Sequence, residues 1–147
     1  MNKLISQLLN TDAGWGALIL RVPVGLILAA HGAQKLFGWF GGYGLEATGQ
    51  WMASIGLVPG LLMAFLAGAA EFFGGLALAL GLLTRPAALV NAVAMAVATF
   101  VVHLENGLFM SNNGYEYALI LLATSLALMV SGGGKLSADR AISQRLA

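Results

Sequence analysis

The segment from Ala64 to Leu83 reads AFLAGAAEFFGGLALALGLL. Glu71 is its only charge, and it has no other strongly hydrogen-bonding side chain. A helix that crosses a bilayer needs ~20 predominantly apolar residues, and this segment has that length. A carboxylate near the centre of such a helix costs at least ~2.5 kcal/mol. Glu71 must therefore face protein or water, and it must have a partner. Both the fold and the function turn on what that partner is.

The rest of the chain has the same character. Of 147 residues, 59% are hydrophobic and 9% are charged, with a mean hydropathy of +0.86. A soluble domain carries about a quarter charged residues, so this chain cannot cover a water-facing surface. An all-α integral membrane protein of one domain, residues 1–147, is expected. The net charge of +1 and the lack of any basic run exclude a nucleic-acid partner. With no Cys, the chain itself offers no disulfide, no CxxC redox pair, no thiolate metal site and no iron–sulfur ligand. A redox role would need a bound cofactor or a partner subunit. Lys3, the apolar run after it and Ala30-His31-Gly32-Ala33 have the outline of a signal peptide. However, Asn10, Thr11 and Asp12 intervene, and Arg21 and Pro23 interrupt the run. An uncleaved first span is the reading.

Hydropathy divides the chain into four spans, about 14–36, 60–83, 87–104 and 115–130, expected to form a left-handed four-transmembrane-helix bundle. Leu4, Ile5, Leu8 and Leu9 suit a short surface helix within residues 1–13. Residues 37–58 form a Gly-rich aromatic loop, in which Trp39, Tyr43 and Trp51 suit a membrane interface. Leu45 to Ile55 reads as an interfacial helix in this first outer loop. Thr84-Arg85-Pro86 reads as a tight turn, and Ser137 as the N-cap of a short tail helix. Four spans put both termini on one side, together with Lys3, Arg85, Lys135, Arg140 and Arg145. The positive-inside rule makes that side cytoplasmic, so a bacterial inner membrane with both termini inside is expected.

Small residues mark faces where helices approach closely. Ala67, Glu71, Gly75 and Ala79 form such a stripe on the second span, and Arg21, Gly25, Leu28, Gly32 and Lys35 share a face of the first. Ala92, Ala96, Thr99 and His103 line up on the third. By helical rise, Arg21 lies roughly 8 Å from Glu71 toward the termini side, and His31 lies a comparable distance the other way.

These pieces together resemble the DoxX family of small four-helix bacterial inner-membrane proteins. The matching residues are Arg21-Val-Pro-Val-Gly25 with His31-Gly32 and Lys35, Gly44-Leu45 through Gly56-Leu57-Val58-Pro59, and Glu71-Phe-Phe-Gly-Gly75 through Gly81-Leu-Leu-Thr-Arg85. They continue with His103, Gly114-Tyr115-Glu116-Tyr117, Gly134-Lys135, Ser137 and Asp139. The resemblance covers nearly the whole chain. It implies a membrane subunit linked to oxidoreductases, some relatives being tied to thiosulfate:quinone oxidoreduction, oxidative-stress complexes, or detoxification of aromatic compounds and quinones. Architecture follows from such a resemblance more firmly than chemistry does.

The expected site is an intramembrane polar pocket holding a quinone or small aromatic molecule. Glu71, His31 and His103 are its candidate catalytic residues. Arg21, Lys35, Tyr115 and Glu116 join them as candidate ligand-binding residues. Glu71 reads either as a proton relay or as the structural ion-pair partner of Arg21. Arg21 reads as interior-facing or as snorkelling to headgroups. His31 and His103 read as donors to a quinone headgroup, as axial ligands of a b-type haem, as metal ligands with Glu105 or Glu116, or as members of a polar network. Metal sites show tighter clustering than this, so no metal ligands are assigned. Lys35, Glu105 and Glu116 read as interfacial charges or as the rim of the pocket. A soluble or membrane redox partner and a homo-oligomer are compatible with this picture. A small-molecule transporter component, or a scaffold that recruits soluble redox enzymes through its tail, are the alternative functions.

Overall fold

The computed structural model describes residues 3–11 and 13–146, and among these it is helical with no strand. Asp12 in the first linker and the extreme termini lie outside the described residues. The order is α1 (Lys3–Leu9), α2 (Trp15–Phe37), α3 (Gly44–Ser54), α4 (Gly60–Leu80), α5 (Thr84–Val97), α6 (Glu116–Ser131) and α7 (Ala138–Leu146). Past Val97 the helix widens into a π-helical turn, Ala98–His103, and ends in a 3-10 turn, Leu104–Asn106.

Three helices are long and apolar enough to cross a membrane: Trp15–Phe37, Gly60–Leu80 and the continuous helical run Thr84–Asn106. At ~1.5 Å per residue each reaches ~30 Å or more, the thickness of a bilayer's hydrocarbon core. The apolar α6 has 16 residues and is shorter. Large apolar side chains on these helices point outward, among them Ile19, Phe73, Val93, Ile120 and Val130. In a membrane protein that outward face meets lipid.

α2 packs on α4, α4 on α5, α5 on α6, and α6 back on α2. The α2–α4 contact is backbone against backbone. A Cβ on Gly25 would lie 2.5 Å from the Gly75 carbonyl oxygen and 2.6 Å from the Ala79 nitrogen. On Gly75 it would lie 2.5 Å from the Ala29 nitrogen, and on Gly32 it would collide with the Phe72 backbone. Small residues at such crossings let membrane helices approach closely. Here they also fix the antiparallel register: Gly25 sits against residues 75–79, and Gly32 against 68–72. Gly75→Ala is expected to destabilise the protein by ~1–3 kcal/mol through overpacking, read by unfolding in mixed micelles. Gly16→Ala is the control, since nothing lies within 4 Å of a Cβ there. Equal effects from the two would mean that the close crossing does not matter.

One end of the molecule is stitched by side chains that cap helices from a distance. Asp139 on α7 accepts hydrogen bonds from the backbone N–H groups of Leu83 (2.6 Å) and Thr84 (2.8 Å), which supplies the N-terminal cap of α5. Thr84-Arg85-Pro86, expected as a turn, is instead the first turn of this helix, where Pro is tolerated. The turn itself is Gly81 to Leu83, and Leu83 takes a left-handed conformation (φ 46°) that the Asp139 carboxylate holds. Arg85 donates to the carbonyls of Met129 (2.8 Å), Val130 and Asn10, closing the C-terminal end of α6. Ser137 accepts from the Arg140 N–H at 3.2 Å, as an N-cap does. Both terminal segments meet at this end, Thr11 bonding the Ser131 carbonyl and the Gly134 N–H. α3 lies at the other end, packed against α4 and α2 close to the Leu45–Ile55 range read from sequence.

Candidate intramembrane site

Glu71 is buried on the inner face of α4, 3% exposed. Its partner is Lys35, whose ammonium donates to Glu71 Oε2 at 2.6 Å. The sequence offered Arg21 for that role, and this is the main correction. Lys35 sits at the last turn of α2, and helical side chains lean toward their own N-terminus. Its four-carbon stem therefore reaches back into the membrane interior, along the register that Gly32 sets against Gly68 and Phe72. One quarter of the Lys35 side chain stays exposed. A carboxylate has two acceptor oxygens and an ammonium three donors, so each partner retains hydrogen-bonding capacity beyond the pair.

Arg21 lies at the opposite end of the crossing, 1% exposed. Its Nε donates to the Gly133 carbonyl (2.8 Å) and its Nη2 to the Leu136 carbonyl (2.9 Å). Its Nη1 donates to the carbonyls of Leu78 and Ala79. The last carbonyls of a helix have no partner within it and carry the negative end of its dipole. A buried guanidinium satisfies both conditions at the end of α4. Arg21 thus faces the interior rather than snorkelling. Leu78 and Ala79 lie seven to eight residues past Glu71, ~11 Å along the helix, so the two charges do not pair.

The ion pair opens onto a cavity of about 820 Å³. Its polar lining consists of Lys35, Glu71, His31, His103, Asn113 and Tyr117, and the remainder is apolar. His31 and Tyr117 stand ring to ring, 6.0 Å between centroids and tilted by 56°. His103 closes the π-helical turn, a device common at functional sites. Its Nδ1 lies 2.9 Å from the Asn113 carbonyl oxygen. A carbonyl only accepts, so Nδ1 carries a proton, and Nε2 is the ring nitrogen left for another partner. Asn113 holds its carbonyl there from a left-handed conformation (φ 58°), and the same oxygen accepts from Asn106 at 3.1 Å. Four expected site residues, His31, Lys35, Glu71 and His103, thus share one cavity.

Two others serve elsewhere. Glu116 accepts from the Met110 N–H at 2.8 Å and ties down the loop before α6. Tyr115 precedes α6, its N–H donating to the Gly107 carbonyl at 3.0 Å. The cavity takes Tyr117 instead, a residue the sequence reading missed. Tyr117 is four residues before the buried Leu121, so a helical face drawn back from Leu121 finds it. Among the described residues no three His, Asp or Glu side chains converge as a metal site would require. The lining thus combines hydrogen-bonding side chains, among them Lys35, Glu71, His31, His103 and Tyr117, with a larger apolar surface.

A family model described as DoxX matches residues 16–104. The chain is 36% identical over 131 residues to "Putative oxidoreductase CatD" of Bacillus subtilis, covering 89% of this chain and 90% of that protein. It is 29% identical over 136 residues to "Inner membrane protein YqjF" of Escherichia coli, covering 88% and 94%. It is 30% identical over 149 residues to "Uncharacterized membrane protein Rv3486" of Mycobacterium tuberculosis, covering 95% and 88%. No solved structure matches the chain.

Proposed function

This chain belongs to the DoxX family, and from that premise we propose that it is an inner-membrane subunit binding a quinone or small aromatic molecule in support of an oxidoreductase. The observation that carries the reading is the Lys35–Glu71 ion pair, set with two histidines and a tyrosine in an otherwise apolar cavity. Ionisable groups at such depth are costly and mark functional sites. A quinone ring presents two carbonyl oxygens, or two hydroxyls when reduced. Lys35 and Tyr117 suit the carbonyls, while Glu71 and His103 Nε2 suit the hydroxyls. His31 covers the ring edge beside Tyr117. Glu71 takes and returns protons, and electrons pass to a redox partner protein. The relative named an oxidoreductase supports this class of function.

The site's floor favours binding over transport. Beneath the cavity, Leu28, Leu78, Ala88, Ala92, Leu121 and Leu128 are buried in one packed cluster, where a conducting route would need water. In this reading α6 is the fourth span, and the side bearing Arg85, Lys135, Arg140 and Arg145 is cytoplasmic. The test is thermal unfolding of the purified protein with a panel of benzoquinones and their reduced forms. A ligand at a hundred times its Kd stabilises by about 2.7 kcal/mol. The expected result is a rise in melting temperature that Glu71→Gln removes. No rise with any member of the panel, or an equal rise in Glu71→Gln, rejects the reading.

A further inference from the structure

The cavity has a second character that the polar cluster does not use. α4 and α5 touch near Gly74, where a Cβ would lie 2.5 Å from Asn91 Nδ2 and 3.3 Å from a Val90 methyl. Toward the α3 end both helices line the cavity. Met63, Leu66, Ala67 and Ala70 of α4 form one wall of the cavity, and Val90, Val93, Ala94 and Val97 of α5 form the facing wall. Both sets repeat at three- and four-residue spacing, so each is one helical face. Leu66 is 51% exposed, Val93 59% and Val97 37%. On a membrane protein, exposure at mid-helix is exposure to lipid. The gap between α4 and α5 is therefore open sideways to the bilayer. Trp51 and Met52 of α3 line the cavity at its distal end.

The polar and apolar parts of the lining are also segregated. Lys35 pairs with Glu71 and His31 stands against Tyr117, while the α4 and α5 wall residues named above are all apolar. At about 820 Å³ the space is near the top of the range for drug-sized ligands, ~300–1,000 Å³, and far larger than one ring requires. We propose that the ligand is a bilayer-dissolved amphiphile, its oxygen-bearing ring at the Lys35–Glu71 pair and its apolar tail leaving between α4 and α5 into the lipid. This rests on the quinone-binding reading above and narrows its substrate class: a tailed ligand entering from the membrane, rather than a small aromatic entering from water. The aliphatic gap holds the tail without hydrogen bonds to break.

The probe is a benzoquinone carrying a decyl tail that ends in a diazirine, photolysed with the protein in phosphatidylcholine nanodiscs and mapped by peptide mass spectrometry. Crosslinks are expected at Leu66, Val93 and Val97, and an excess of the same benzoquinone without a tail should remove them. Val93→Trp, a lipid-facing change that plugs the gap, should abolish these crosslinks while the tailless quinone still raises the melting temperature. Crosslinks spread over the lipid-facing surface, for example at Ile19 and Val130, with the melting shift intact, would overturn the tail path and leave the binding site standing. Loss of the melting shift itself, with no competition by the tailless ring, would overturn both.

Discussion

Lys35→Met lowers the stability of the protein by ~3–5 kcal/mol, the usual cost of removing one partner from a buried ion pair. Methionine keeps most of the apolar stem and deletes only the ammonium, so the loss reports the charge. Glu71 suffers because its side chain is 4% exposed and sits too deep in α4 to reach water. The converse change costs less. Glu71→Gln leaves Lys35 unpaired, but a flexible lysine stem at a helix end can carry its charge to the interface. The double variant Lys35→Met/Glu71→Leu should regain most of the stability, since apolar groups of similar volume replace buried ion pairs with little loss. It should not regain the quinone-induced melting shift. Reversible unfolding in mixed micelles measures all three. A single variant losing under ~1 kcal/mol would mean that solvent screens the pair. A double variant as unstable as the single would mean that packing, rather than charge, sets the loss.

The hydropathy of the chain reveals the membrane class, because runs of twenty apolar residues have few other uses. The need of Glu71 for a partner is legible for the same reason. The partner's identity is not. Depth places Arg21 on one side of Glu71 and His31 and Lys35 on the other, and depth alone cannot choose between them. The choice is made by the register of α2 against α4, set where Gly25 meets Gly75 and Gly32 meets Phe72. Glycines announce a close crossing, but not which turns face each other. Two further differences between the expected and observed positions have local causes. Tyr115 and Glu116 stand at the start of α6, where Tyr115 precedes the helix and Glu116 is taken by a loop N–H. The first turn of α5 looks like a loop because the residue that caps it, Asp139, is more than fifty positions away. His103 was placed by a regular stripe through Ala92, Ala96 and Thr99. The π-helical turn Ala98–His103 breaks that regular repeat, yet His103 still reaches the cavity.

Arg21→Met is expected to be as damaging, by a different route. Its guanidinium joins α2 to the last carbonyls of α4 and to the loop that carries Gly133 and Leu136. Each buried acceptor left unsatisfied costs ~1–3 kcal/mol, so a loss of at least ~3 kcal/mol follows. Arg21→Lys keeps the charge but not the planar fork that reaches several carbonyls at once, and should recover only part of it. The two ends of the molecule then separate experimentally. Without Arg21 the loop at Gly133–Leu136 loses its side-chain anchor to α2 and keeps only its bonds to the Thr11–Gly14 segment and within itself, and trypsin should cut the native protein faster after Lys135. Lys35→Met should leave that bond protected. The polar clusters are ~11 Å apart along α4 and share no partner, so their losses should add within ~0.5 kcal/mol in Arg21→Met/Lys35→Met. A strongly non-additive pair would instead mean that the α2–α4 crossing transmits strain between them. The cavity and the stitched end would then form one cooperative unit, and the quinone-induced melting shift would fall in Arg21→Met as well.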